Sequence, residues 1–497
     1  MGIIQRDSFR ITLIAFAGAA IGYLNKVFLF PNFLTPDQVG LANLLITLAL
    51  IYAQVASLGS GNIIVRFFPF FNDSAKNHHG FLFAISAFSL AGFTLVSLMV
   101  MLLRQPFYQF YAEGSPLLVE YFWYLVPLAL ATLYFNLFDA YLRSLFRNVF
   151  PSLVYEIGLR LFITLSVLLF AFDFVSFEGF VVVYVVANCL PAMLVILYTV
   201  SIRQLKLRPE PTPLLKRLSG IMFNYGGFSV LNNLSFLILA SIDALMIAGM
   251  IDLAAAGIYT TMVFVTSVML IPYRSMLRVS GPIVAQLWKL KDLVKMDILY
   301  KKASSGNLVV GAGLFLLIWI NIDSLFQFMP GEYALGKFVF LYLGIGRLVD
   351  MAAGLNGAIL LTSRRFKIDL LFTTGLIVFT ILSNLALIPQ LGINGAAIAS
   401  MASLILFNIF RIVYLYRQFQ IHPFVNKQLF VTPILLAIIL ISSLSGRLDN
   451  VFADIAVRSL VAGLAFCIPI YFLRVSEDLS EMVNAVASTL RQKFRRK

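Results

Sequence analysis

Charge is what this chain has little of. Asp, Glu, Lys and Arg make up 12% of its 497 residues, while 60% are hydrophobic. Soluble proteins carry about 25% charged residues and fewer than half apolar ones. So little charge cannot clothe a water-exposed surface around so much apolar chain. That excludes a soluble globular protein and makes the bilayer its solvent. Cysteine is rarer still: Cys189 and Cys467 both lie in apolar runs, which excludes a disulfide framework or a cysteine metal site. The three histidines, His78, His79 and His422, flank basic loops without ligand spacing and are expected to be solvated loop residues. No cofactor is implied. No G-x-x-x-x-G-K-[ST] stretch occurs, so ATP hydrolysis within the chain is not expected. No outer loop is long enough to form a domain or gathers carboxylates and histidines, and the reading is not an enzyme.

What is present is apolar length. Stretches of about 18 or more apolar residues are read as membrane helices. Fourteen are found: 9–30, 39–65, 81–103, 117–138, 151–172, 178–201, 219–249, 255–281, 303–322, 336–361, 366–388, 394–417, 429–446 and 453–473. The predicted fold class is an all-α integral membrane protein of about 14 transmembrane helices.

The net charge of +14 could point to nucleic acid or to anionic lipid, and its distribution decides. With the N-terminus in the cytoplasm, thirty of the 37 Lys and Arg fall on the inner side, Arg411, Arg417 and Lys427 among them. Three fall outside (Arg104, Lys337, Arg447), and Lys26, Arg160, Arg347 and Arg458 fall within spans. This positive-inside asymmetry places both termini in the cytoplasm and removes any need for a nucleic-acid partner. The tail 475–497 reads as a basic amphipathic surface helix on anionic lipid.

The chain also repeats itself. Residues 34–41 (LTPDQVGL) align with 251–258 (IDLAAAGI) at an offset of 217; Leu137–Ala140, Glu178–Phe180 and Tyr198 find counterparts at 218, 216 and 216. Agreement within two residues, at equivalent places in six-helix blocks, argues for duplication. Six helices per copy makes the repeats parallel, an arrangement that puts a substrate path on the axis between them. The predicted organisation is a six-helix lobe at 1–201, a Pro-rich basic cytoplasmic linker at 202–218, a second six-helix lobe at 219–418, two extra helices within 419–474, and the tail.

Ionisable groups at bilayer depth are costly and mark function or a partner. Lys26, near the outer end of the first helix, has Asp243 as its repeat counterpart at offset 217. The two are candidates for an outer gate, pairing when the cavity is closed to the outside. Arg347 lies about 16 Å into the tenth helix at 1.5 Å per residue. Asp350, three residues on, would compensate its charge. A guanidinium fork at that depth suits phosphate oxygens. The alternative is a self-neutralised pair holding helices together. Arg66, Arg274 and Arg278 are either ordinary positive-inside residues or a cationic vestibule. Asn25, Asn232 and Asn233 are candidates to line the cavity or to bridge helices. Glu156–Arg160 and Asp139–Arg143 are read as structural (i, i+4) pairs, and Gly59–Asn62 and Gly226–Gly227 as sites of close helix approach or bending.

The stretch Asn25–Leu41, with Asp243–Ile247, Gly257–Tyr259 and Leu391–Ser400, resembles the polysaccharide flippases of the multidrug/oligosaccharidyl-lipid/polysaccharide exporter superfamily, over roughly residues 1–418. The resemblance implies a bacterial inner-membrane exporter of undecaprenyl-diphosphate-linked sugar units for O-antigen, capsule or lipopolysaccharide, working by alternating access. It implies membrane lipids, a polysaccharide polymerase and glycosyltransferases as partners, and a lipid-tail groove beside the last two helices. The rival reading is an ion-coupled multidrug or organic-cation extruder of the same fold.

Overall fold

The computed structural model describes residues 3–209, 212–476 and 481. Most of the expected basic tail lies outside the described residues.

All regular structure among the described residues is helical. Twelve helices are long and apolar enough to cross a membrane, and fourteen spans result when each of two bent pairs counts as one. They are α1 (Arg10–Phe33), α2 (Pro36–Ala56), α3 (Lys76–Leu102), α4 (Phe122–Ser144), α5 (Val149–Ala171), α6 (Phe177–Ser201) and α7 (Pro213–Met250). There follow α8 (Leu253–Ser267 with Leu270–Leu290), α9 (Leu293–Ile320), α10 (Gly331–Ala352 with Asn356–Thr362), α11 (Lys367–Leu391), α12 (Ile393–Phe419), α13 (Asn426–Leu444) and α14 (Val451–Phe472). The chain is a multi-pass membrane protein.

The starts of these helices are written in local chemistry. Thr35 caps α2 through a capping box with Gln38, with Pro36 supplying a preformed first turn. Ser176, Thr212, Asp292 and Asn450 cap α6, α7, α9 and α14 with their side-chain oxygens. The breaks are local too. α2 stops at Ala56 and resumes as Ser60–Phe71 after Gly59, whose φ of +80° only glycine adopts cheaply. The two limbs of α8 meet at 52° and those of α10 at 54°.

The chain divides into two compact units, residues 1–261 and 262–497. In the first, α7 and the start of α8 join α1–α6. An aromatic cluster of Phe68, Phe71, Phe81 and Tyr141 closes one end of its core, where α2, α3 and α4 meet. His78 belongs to this cluster and corrects the expectation of a solvated loop histidine. It is fully buried, its ring 5.1 Å from Phe68 and its Nε2 3.3 Å from Gln204 Oε1. Left-handed φ angles at Asn77, His78 and His79 fold the turn back and tuck the ring inward, which spacing in the sequence does not reveal. In the second unit the core at one end gathers Val284, Tyr300, Leu355, Ile359 and Leu415, and Trp288 Nε1 donates to the Ile359 carbonyl at 3.0 Å.

Candidate functional site

Two polar constellations lie at membrane depth, one in each unit. The first is built where α1, α2, α7 and α8 meet. α2 and α8 approach so closely that a Cβ on Gly40 would strike the Leu253 carbonyl, and one on Gly257 would strike the Pro36 carbonyl. Gly40 and Gly257 are 217 positions apart, and so are Pro36 and Leu253. The contact is therefore reciprocal, like an isologous interface around a two-fold axis, although it is formed within one chain.

On the same crossing, Asn43 Nδ2 donates to Thr260 Oγ1 at 2.9 Å, again across 217 positions. The Lys26 ammonium donates to Asn43 Oδ1 and stands 4.2 Å from the centroid of the Phe30 ring. Lys26 sits in a π-helical stretch of α1, Leu24–Leu29, which turns it onto this face. Asp243 is buried on α7, and its Oδ2 accepts from the Tyr259 hydroxyl at 2.7 Å. Tyr259 and Thr260 are consecutive on α8, so Asp243 reaches this short segment directly and Lys26 reaches it through Asn43, and no bond joins the two charges. The end of the unit is further fastened by Ser115 Oγ to the Ala248 carbonyl, 2.6 Å, and by Leu253 N–H to the Gly114 carbonyl, 3.1 Å.

Asn25 faces elsewhere. It is buried, donates to the Arg160 carbonyl at 2.9 Å and accepts from the Thr164 hydroxyl at 2.8 Å, so its amide bridges α1 to α5. Arg160 pairs with Glu156 at 2.6 Å, and Gly18 and Gly22 leave room for that pair against α1. Arg143 pairs with Asp139 at 3.1 Å. Arg66 is exposed and stacks 4.4 Å from the Tyr225 ring centroid, while Gly226 packs on the Leu58 carbonyl at the break in α2. Asn232 and Asn233 are partly exposed, midway along α7.

The second constellation belongs to α10, α11 and α12. Arg411 is buried, with Nη2 2.6 Å and Nε 2.8 Å from Asp369 Oδ1 and its guanidinium 3.9 Å from the Phe407 centroid. This corrects its placement among the inner loop residues. It lies eight residues before the end of α12, and its charge is met by α11 rather than by water. Gly357 gives it space, for a Cβ there would come within 2.9 Å of Nη1.

Asp350 does not compensate Arg347 as expected. Its Oδ1 accepts from Asn408 Nδ2 at 3.2 Å, and Asn408 in turn accepts from Asn356 at 2.7 Å. Arg347 is partly exposed on α10, and its guanidinium has no ion-pair or hydrogen-bond partner among the described residues. Arg274 and Arg278 are exposed one turn apart on the second limb of α8. No group of three His, Cys, Asp or Glu among the described residues could hold a metal ion.

Asn43, Thr260, Tyr259, Asn356, Asp369, Arg411 and Asn408 are the polar residues of these constellations that sequence reading missed. For Asn43 and Thr260 a signal existed, since they share the 217 offset already seen at Lys26 and Asp243.

No protein-family model and no curated protein sequence matches this chain. Solved structures do match. The lipid II flippase MurJ, in an inward closed conformation, superposes with a TM-score of 0.70 at 13% identity, covering 93% of this chain and 98% of its own. An inward-facing multidrug resistance MATE family transporter of the MOP superfamily gives 0.62 at 13%, covering 80% and 94%. A mutant of the Vibrio cholerae MATE transporter VcmN gives 0.56 at 10%, covering 84% and 98%. The chain therefore shares the fold of MurJ and of the MATE transporters.

Proposed function

We propose that this chain is a bacterial inner-membrane flippase that moves an undecaprenyl-diphosphate-linked oligosaccharide by alternating access. The observation that carries the reading is Arg347: a guanidinium ten residues inside a membrane-spanning helix, with no acid or hydrogen-bond partner among the described residues. A buried or membrane-embedded cation is normally paired, as Arg411 is. One left open is suited to a ligand that brings its own anion, and a diphosphate does. The constellation of Lys26, Asn43, Thr260, Tyr259 and Asp243 would act as the outer gate, with Lys26 and Asp243 leaving their present partners to pair with each other as it closes to the outside. Energy would come from the membrane potential or an ion gradient.

Reconstitution in proteoliposomes with a fluorescent undecaprenyl-diphosphate oligosaccharide tests this. Wild type is expected to move the lipid between leaflets and Arg347→Ala to lose most of that activity while remaining folded. Unimpaired flipping by Arg347→Ala would remove the residue from the substrate path.

A second reading is favoured by the Asp243–Tyr259 bond, a buried carboxylate of the kind an organic-cation extruder needs. Uptake of an organic cation by the same vesicles, abolished by Asp243→Asn and indifferent to Arg347→Ala, would establish it instead.

A further inference from the structure

The second unit carries an apolar groove of about 540 Å3 between α9, α10 and α13. Its wall includes Phe315, Leu341, Leu435 and Leu436. Along α13 its lining runs from Asn426 to Ile439, of which the regular helical part from Val431 covers about 12 Å at 1.5 Å per residue. Leu429, Leu436 and Leu440 are 76%, 59% and 62% exposed, so this face of α13 is turned to the hydrocarbon. At one end the groove meets a second cavity of about 210 Å3, and Val425 lines both.

That second cavity is cationic. Lys301 and Lys302 from α9, Lys427 from the start of α13 and Arg474 from beyond α14 line it, and no carboxylate does among the described residues. Three separated stretches of chain thus bring four cations to one mouth. Lys301 is steadied by Asp297 at 2.5 Å. The partition between mouth and groove is fixed by Gln428, whose amide donates to Ser305 Oγ at 2.9 Å, Ser304 Oγ at 3.1 Å and the Pro423 carbonyl at 3.2 Å.

We infer that this is a docking site for a glycerophospholipid with an anionic headgroup, its phosphate held by Lys427 and Arg474 at the mouth that Lys301 and Lys302 also line, and an acyl chain in the groove. The order of chemistry, cations first and then a mainly apolar slot whose polar lining residues are Asn426, Gln428 and Thr432, is that of such a lipid. Basic pockets between transmembrane helices bind anionic headgroups in this way. A peptide segment is a poor occupant, because the slot would leave its backbone polar groups unsatisfied.

Native mass spectrometry of the detergent-purified full chain tests this. Phosphatidylglycerol is expected to be retained in preference to phosphatidylcholine. The double variant Lys427→Gln/Arg474→Gln should weaken retention about tenfold or more, at roughly 1 kcal/mol per basic residue. Lys295→Gln, at an exposed lysine that does not line the cavity, should not. Leu436→Trp, which fills the slot from an exposed position, should weaken retention as well. Equal retention of the two lipids, or retention unchanged in the double variant, overturns the inference. Glycerol 3-phosphate competing as well as the whole lipid, with Leu436→Trp silent, would show an anion pocket without lipid docking and overturns it too. Displacement by an undecaprenyl-diphosphate oligosaccharide would assign the groove to a transported lipid instead. The retention of phosphatidylglycerol and its loss in the variants are read without any transport assay, so their failure is distinct from failure of the proposed flipping.

Discussion

Asn43 and Thr260 donate and accept across 2.9 Å although 217 residues separate them, and they are each other's counterparts in the internal repeat. A residue that touches its own repeat mate must lie on the local two-fold axis. Gly40 and Gly257 flank that axis with their reciprocal carbonyl contacts. The contacts between these residues make a self-complementary helix crossing, beside which Lys26 holds Asn43 and Asp243 holds Tyr259.

The crossing depends on two missing side chains. Gly40→Ala and Gly257→Ala each place a methyl group against a backbone carbonyl that cannot move without its helix. Each is expected to cost about 1–3 kcal/mol, in the range of overpacked cores. The double variant should cost less than the sum, since either methyl group already pushes the same two helices apart. Thermal unfolding in detergent measures this, and additive losses would show that the two glycines act separately.

Lys26 and Asp243 are proposed to exchange their present partners for one another during the cycle. Charge-neutral Lys26→Met and Asp243→Asn should each lower transport, and a Lys26→Asp/Asp243→Lys swap should restore part of it. Tyr259→Phe removes a donor to a buried carboxylate and is expected to cost about 1–3 kcal/mol of stability. A swap that rescues neither single loss would rule out the pairing, while leaving the Tyr259 bond in place.

Arg347 and Arg411 should behave oppositely. Arg411→Ala strands Asp369 in the interior and is expected to destabilise by about 3–5 kcal/mol. Arg347→Ala strands nothing, so its melting temperature should stay near wild type while flipping falls. Arg347→Lys should recover only part of the activity, because an ammonium lacks the fork that fits a diphosphate. A large melting shift for Arg347→Ala would indicate a structural role.

Acid sensitivity should concentrate at Asp323. Partial burial would raise its carboxyl, but the hydrogen bonds from Lys337 at 2.7 Å and Arg447 at 2.6 Å hold it below the usual carboxylate range. A carboxyl depressed in the folded state contributes stability above its unfolded pKa of about 4, and that contribution is lost as pH falls through the folded value. Wild type should therefore lose stability below about pH 4 more steeply than Asp323→Asn, with no difference in slope between pH 6 and 8. Parallel melting curves across the acid range would disprove the assignment.

Much of this architecture is legible one residue at a time. A bilayer requires about 20 apolar residues per crossing, a condition on the linear chain. The fourteen runs therefore emerge as fourteen spans, even where α8 and α10 bend. Caps such as Thr35 with Gln38 are equally local. The (i, i+4) pairs Glu156–Arg160 and Asp139–Arg143 are found where spacing puts them, because helix geometry alone sets those distances. Arg347–Asp350, at (i, i+3), had the same geometric licence and did not form. Asn408, 58 positions from Asp350, offered the carboxylate a donor from another helix.

Partner choice at membrane depth is the part that only the tertiary structure decided. Arg411 meets Asp369 across 42 positions, Asn25 is taken by Arg160 and Thr164 more than 130 positions away, and a left-handed turn buries His78 beneath Phe68. Hydropathy says how deep a polar group will lie but not which neighbour will face it. In a medium that supplies no water, that neighbour determines whether a buried charge is neutralised within the protein, as at Arg411, or stays open to a ligand, as we propose for Arg347.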